Sequence, residues 1–345
     1  MRDHIEPNEI KDWSGTQNGD QSFSRFIFLG VFSIFLNATM FMSVFASFPI
    51  ALSFIMYGRN KGITLSVVGL FASTIIGFKV LASPFIPFTY LFAAMVGVGI
   101  SEIIKRGISP IKGMMKLGGV ITVLFSLLSV GAIISSDGDF KEQLKIQVEL
   151  QSKKLLETRN QAITNGSEEN LKFLDLLETP DVLTELILQA LPASILMGIF
   201  FWIWVNLYLI LRSQRTFFID KSYLYSDREL LNFKVPEYFI IFVIVALVFT
   251  LFGDYFTPSP EIVGGTKDAT AWGQSLLKCL GLFYFFQGMG IYIDFLDFLK
   301  ISGFLRMLLI LFTVITGSWV VALVGLFDMW VDFKKFFKTK KGNSN

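Results

Sequence analysis

The chain has one cysteine, Cys279, and one histidine, His4, in 345 residues. A lone thiol inside an apolar run cannot close an internal disulfide, so packing rather than redox chemistry is its expected role. His4 lies in a polar stretch with no partners held at fixed distances, which excludes a histidine-based metal cluster or charge-relay triad. Paired cysteines, a glycine-rich phosphate loop and a nucleophile elbow are also missing; Gly288-Met289-Gly290 is only a GxG within an apolar helix. These absences disfavour an ordinary hydrolase and a nucleotide-driven pump. Intramembrane proteases and lipid-modifying enzymes need no short motif and stay open, but the expectation is a protein that is not an enzyme, with no cofactor and no metal. Charge is scarce too. Charged residues make up 17% of the chain and the net charge is +2, with lysines and arginines in short clusters, which gives no ground for a nucleic-acid partner.

Apolar residues are abundant. They account for 53% of the sequence, and the mean hydropathy is +0.59. Soluble domains mix apolar and polar residues along every helix. Here the oily stretches recur from Phe26 to Val331, so lipid is the expected solvent. A spanning helix needs about 20 apolar residues, because the hydrocarbon core is about 30 Å thick and each residue rises about 1.5 Å. Ile63–Ala82, Phe85–Ile103, Gly118–Ser135, Ile187–Leu211, Tyr238–Phe252 with its flanks and Leu276–Leu296 meet that test. Lipid offers the backbone no hydrogen-bond partners, so each must be a helix. The expected fold is all-α: a polytopic transmembrane bundle over 25–338, with a flexible polar tail at 1–24, an amphipathic connector at 139–180 and a basic disordered tail at 339–345. The first stretch is acidic rather than basic, so no cleaved secretory leader is expected.

Two runs, Phe26–Tyr57 and Ile301–Val331, are too long for one straight crossing. Asn37 and Pro49 favour a break in the first, and Thr316, Gly317 and Ser318 in the second. The positive-inside rule places the clusters Arg59/Lys61, Lys105/Arg106/Lys112/Lys116 and Arg212/Arg215/Lys221/Arg228 on the cytoplasmic side. The more acidic regions 136–180 and 254–271 then fall outside. The tail lysines, Lys334 to Lys341, return to the inside only if the last run turns back. Hairpins at both ends follow, with eight to ten membrane segments in all. In the connector, Phe140, Leu144, Val148, Leu155 and Ala162 recur at spacings of four and seven, a helical stripe. Leu171–Leu177 is a second apolar stretch. Both suit helices lying on the membrane face or on each other.

Ionisable and polar groups inside oily runs are the best functional pointers, since a charge at mid-membrane costs about 2.5–3.5 kcal/mol on insertion scales. Asp294 and Asp297 share a helical face with Lys300, as a cavity lining or as a solvated pair at the helix end. Glu102 with Lys105 and Arg106 reads as an interface cluster, and Lys79 as a snorkelling side chain. Gln189, Asn206 and Gln287 must each find an interhelical hydrogen bond or a wet cavity. Together with Asp294 and Asp297 they form the candidate polar cavity. Gly69, Ser73 and Gly77 recur every four residues, as do Ala93, Gly97 and Ser101. Such small-residue stripes allow close helix packing, either with each other or with another protein.

The runs Leu282-Phe283-Tyr284-Phe285-Phe286-Gln287-Gly288, Phe304 to Leu309, and Val324-Gly325-Leu326-Phe327-Asp328-Met329-Trp330-Val331-Asp332-Phe333-Lys334 resemble the closing pattern of the YybS-like predicted bacterial membrane proteins. Lys334 stands where that family has Arg, and Pro49 followed by Gly58-Arg59 and Gly62 is similar to its proline helix and basic turn. The resemblance covers about Phe26 to Phe337, without the middle segment Asp139–Pro180. More remotely it extends to the substrate-binding components of energy-coupling-factor transporters and to MreD-like cell-shape proteins. It implies a multi-pass protein of the bacterial cytoplasmic membrane. Its role would be binding or translocating a small, vitamin-like molecule, or alternatively scaffolding envelope proteins. Its partners would be the lipid bilayer and other membrane or cytoplasmic subunits. No substrate residue carries over.

Overall fold

The computed structural model describes residues 19–135, 140–160, 177, 179–213, 223–255, 269–333 and 335. The expected tails therefore lie mostly outside the described residues, as does most of Leu171–Leu177. Every regular element among the described residues is helical. Five helices are long and apolar enough to cross a membrane, or six if one bent pair counts as a single span, which is fewer than the eight to ten segments expected. Part of the difference is that two more apolar helices, Phe23–Ala38 and Phe239–Phe252, fall short of the length a span requires. By compactness the chain divides into two units, residues 1–117 with 202–227 and residues 118–201 with 228–345.

In the first unit, α1 runs Gly19–Ala38. It starts inside the stretch expected to be a tail, because adding a polar turn to a nucleated helix costs little. It ends one residue after Asn37. A short 3-10 turn, Ser43–Ala46, leads into α2, Ser47–Ile75, which continues through a π turn to Val80. Pro49 stands in the first turn of α2, where the missing N–H is not needed. The apolar stretch Ser43–Val80 is 38 residues long. As one straight helix it would measure about 57 Å, nearly twice the hydrocarbon thickness. Gly58 resolves this: at φ 84° and ψ 175° it breaks α2 in a conformation only glycine adopts readily. The ring of Phe54 consequently lies over Gly62, where a Cβ would be 2.5 Å from it. The first oily run thus turns back, at residues 39–46.

The arm before Gly58 is buried on all sides, Ser47 and Pro49 through Ile55 included, as befits a helix apolar all round. Around it stand α1, the second arm of α2, α3 (Phe85–Lys105) and the end of α6 (Pro180–Ser213), while α4 (Pro110–Ser135) starts against α3, where Gly113 meets Ile103. Asn37 joins α1 to α3, donating to the Ile86 carbonyl at 2.8 Å and accepting from Thr89 Oγ1 at 3.0 Å.

In the second unit, α5 (Phe140–Asn160) is the expected connector helix. Its buried line holds Val148 and Ser152, whereas Leu155 of the expected stripe is 53% exposed. Lys145 is paired with Asp181 at the start of α6. After the short α7 (Asp227–Leu231), α8 (Phe239–Phe252) packs on the first half of α9 (Ala269–Phe298). Gly273 faces Thr250 and Ala246, and Gly253 faces Thr270, so these two helices are antiparallel. α11 (Ser318–Val331) packs on the second half of α9, whereas α10 (Gly303–Thr316) reaches α9 through Tyr292 with Leu309 and Thr313 and through Asp297 with Arg306. α10 and α11 are bent by 91° at the Thr316-Gly317-Ser318 break, which is a broken span or a re-entrant element.

Candidate functional site

In the second unit two glycines let the backbones of α9 and α11 come into direct contact. A Cβ on Gly288 of α9 would lie 1.9 Å from the Val321 carbonyl oxygen, and one on Gly325 of α11 would lie 2.0 Å from that of Tyr284. Backbones this close bring Gln287 and Asp328 together, both nearly fully buried. Gln287 Oε1 accepts from the Val235 amide at 2.8 Å, so its Nε2 faces Asp328 and donates to Oδ2 at 3.0 Å. The other carboxylate oxygen, Oδ1, accepts from the Phe333 amide at 2.8 Å. Two neutral donors therefore converge on the Asp328 carboxylate. Asp332 takes a left-handed turn, φ 47°, which ends α11 and places Phe333.

Toward the end of α9, Asp297 pairs across the turn with Arg306 of α10, and Lys300, at φ 58°, is exposed in the turn itself. Asp294 is half-buried one turn earlier. Gln189 is half-buried on α6, and its backbone carbonyl accepts from the Ser275 hydroxyl at 3.3 Å. Asn206 belongs to the first unit. There its Nδ2 donates to Val44 O and Trp202 O at 2.7 and 2.8 Å, while Trp202 Nε1 donates to Ser47 Oγ. Of the five residues of the candidate polar cavity, Gln287, Asp294 and Asp297 lie on α9, Gln189 on α6 and Asn206 in the first unit. Gln287 and Asp297 are engaged as helix-to-helix ties, and Asn206 is a tie within its own unit.

Both small-residue stripes are buried inside the first unit. They do not simply face each other. Gly69 makes room for the Tyr90 hydroxyl, which also meets Ser33 Oγ at 3.1 Å, and Gly77 makes room for Ile86 and Pro87. Gly97 instead receives Ile50 and the Ser47 carbonyl from the first arm of α2.

A groove of about 440 Å³ opens where α10 and α11 bend away from α9. Its walls are Ile291 and Phe295 of α9, Phe312 of α10, and Val320, Val321 and Val324 of α11, with Gly288 beneath and Phe333 at one edge. Polar side chains in the lining come only from Tyr292, Thr313 and Thr316. Thr313 Oγ1 donates to the Tyr292 hydroxyl at 2.9 Å, Tyr292 donates to Leu309 O at 3.4 Å, and Thr316 donates to Phe312 O at 2.7 Å. The volume lies in the range of small-molecule sites. Sequence periodicity marked none of these residues as a site; the only signal was the Thr-Gly-Ser break that splays the helices. No group of acids, histidines and cysteines suited to a metal ion occurs among the described residues.

A family model described as "Predicted membrane protein (DUF2232)" matches residues 25–329, which includes Gln287, Gly288, Gly325 and Asp328. No curated protein and no solved structure matches the chain.

Proposed function

The chain belongs to the DUF2232 family of predicted membrane proteins, and from that premise we propose that it is a non-enzymatic component of the bacterial cytoplasmic membrane that binds a small molecule in the groove between α9 and the α10–α11 bend. The observation that carries this reading is the groove itself, a concave site of suitable size built on the helices that resemble the YybS-like ending. The remoter likeness of that ending to transporter substrate-binding components suggests that the bound molecule is handed on or translocated by partner subunits. The scaffold alternative needs small-residue stripes on the outside, and here they are buried.

In the topology we propose, α1, α8 and the first arm of α2, each short by itself, cross with the turns that flank them, beside the second arm of α2, α3, α4, α6 and α9, and the α10–α11 pair re-enters from the cytoplasmic side. That makes eight crossing and two re-entrant segments.

The test is to purify the full chain in a mild detergent and identify small molecules that co-elute, beside a Val320→Trp variant. Val320 is an exposed groove wall, so the larger side chain fills the groove without entering a core. A molecule bound to the parent protein and lost from a folded Val320→Trp variant supports the proposal. The same molecule retained by both proteins removes the groove from consideration.

A further inference from the structure

The hydroxyl groups of the groove say what kind of molecule fits it. Each of the three has already committed its hydrogen: Thr313 to Tyr292, Tyr292 to the Leu309 carbonyl, and Thr316 to the Phe312 carbonyl. Among the side chains of the lining there is no ionisable group other than the Tyr292 phenol, and the three hydroxyl hydrogens are already engaged. A carboxylate or phosphate entering the groove would lose its water and meet no cationic side chain, only hydroxyls whose hydrogens are already committed. A hydrocarbon loses nothing of that sort.

The outer walls point the same way. Phe312 and Val320 are largely exposed, and they continue into the apolar outer face of α10, where Phe304, Met307, Leu308 and Leu311 are exposed as well. A helix face of that composition is solvated by lipid chains, so the groove opens onto the acyl region rather than onto water. The Asp297–Arg306 pair closes the α9–α10 seam at the other end, so charge is kept out of the groove.

We infer that the ligand is the hydrocarbon chain of a membrane lipid, entering sideways from the bilayer, rather than a water-soluble, vitamin-like molecule. This rests on the groove being the binding site, and it deepens that reading by fixing the class of ligand and its route of entry.

The experiment uses the full chain in phosphatidylglycerol–phosphatidylethanolamine vesicles doped with a phosphatidylglycerol that carries a diazirine in mid-chain. After illumination, labelled residues are mapped by mass spectrometry. Labelling is expected at Tyr292, Phe295, Thr313 and Val324 in the groove, in addition to Leu308 on the outer face. Val320→Trp should lower groove labelling at least about fivefold and leave labelling at Leu308 unchanged. Thr313→Val and Tyr292→Phe, which remove hydroxyls but keep shape, should change it by less than about twofold. Absence of groove labelling while a polar molecule co-elutes and is lost in Val320→Trp would overturn the hydrocarbon assignment but keep the groove as a site. Absence of both would overturn the two together. A drop of tenfold or more in Thr313→Val or Tyr292→Phe would overturn the assignment as well, because a chain has nothing to accept from or donate to those oxygens.

Discussion

Asp328 does work that no amide can do alone. Two donors converge on it, the Gln287 side chain and the Phe333 backbone, and a carboxylate serves both through its two acceptor oxygens. Asp328→Asn keeps the shape but replaces one acceptor with an amide donor. Gln287 cannot turn over to compensate, because its own oxygen is engaged by Val235. The single variant should therefore lose about 1–3 kcal/mol, the range for a buried polar group left unmatched, seen as a lower thermal midpoint in detergent. The double variant Gln287→Glu with Asp328→Asn moves the carboxylate across the contact. The carboxylate introduced at position 287 would accept from Val235 and from the new amide, whose oxygen would still accept from Phe333, so most of the stability should return. A double variant no better than the worse single would show that the network is not what holds these residues. The neighbouring glycines make a second test. Gly288→Ala or Gly325→Ala would drive a methyl into a carbonyl at about 2 Å and should abolish folding or cost several kcal/mol, beyond the usual range of about 1–3 for overpacking. Gly281→Ala on the same helix meets nothing within 4 Å and should be neutral or gain about 0.5–1 kcal/mol from helix propensity.

Helices were legible wherever the oily run matched the thickness of a bilayer. The spans Phe85–Lys105 and Ala269–Phe298 and the break at Thr316–Ser318 follow from length, composition and local turn chemistry. What was not legible depends on partners far away in sequence. Pro49 reads as a breaker, yet it starts a helix. The sharper break is at Gly58, a residue that sequence alone placed in a basic turn without revealing that its φ must be positive. Gly58→Ala meets no crowding, so its cost isolates the backbone: about 1–3 kcal/mol for a side chain forced into a glycine-only region. An unfolding midpoint equal to the parent's would mean that the arms of α2 do not need this turn. The polar residues behaved in the same way. Gln287 was recognisable as a group in need of a partner, but the choice between cavity and tie was made by Val235, Asp328 and Phe333, which no periodicity connects to it. Asp297 was paired by sequence reasoning with Lys300, three residues away. The fold gives it Arg306 instead, because Lys300 lies in a left-handed turn that aims the chain back toward α10.

Across the whole molecule, the arrangement of basic turns gives the orientation a physical basis. In the first unit, Arg25 acts electrostatically on Tyr57, Arg59 acts on Lys105, and Tyr223 donates to the Ile108 carbonyl at 2.9 Å. Burial pushes the Tyr223 phenol well above its ordinary pKa, so it stays a donor. The start of α1, the Gly58 turn, the α3–α4 turn and Tyr223 are therefore neighbours on one face, which the positive-inside rule assigns to the cytoplasm. With Cys279→Ser as background, Arg59→Cys, Arg106→Cys and Ser226→Cys should react with a membrane-impermeant maleimide only in inside-out vesicles. Leu81→Cys, at the other end of α2, should react only in intact cells. The second unit then fixes the bent pair. From Arg228, which the same rule assigns to the cytoplasm, the proposed topology takes α8 out and α9 back in, so that α10 would begin at the cytoplasmic face. A broken span would deliver the lysines after α11 to the outside, at odds with their charge. A re-entrant pair returns them to the inside, with the groove at its bend facing the acyl chains. A reporter fused after Lys341 should accordingly score as cytoplasmic. An external score would make α10–α11 a crossing segment, put its bend at mid-membrane, and leave the basic tail on the side where such clusters are rare.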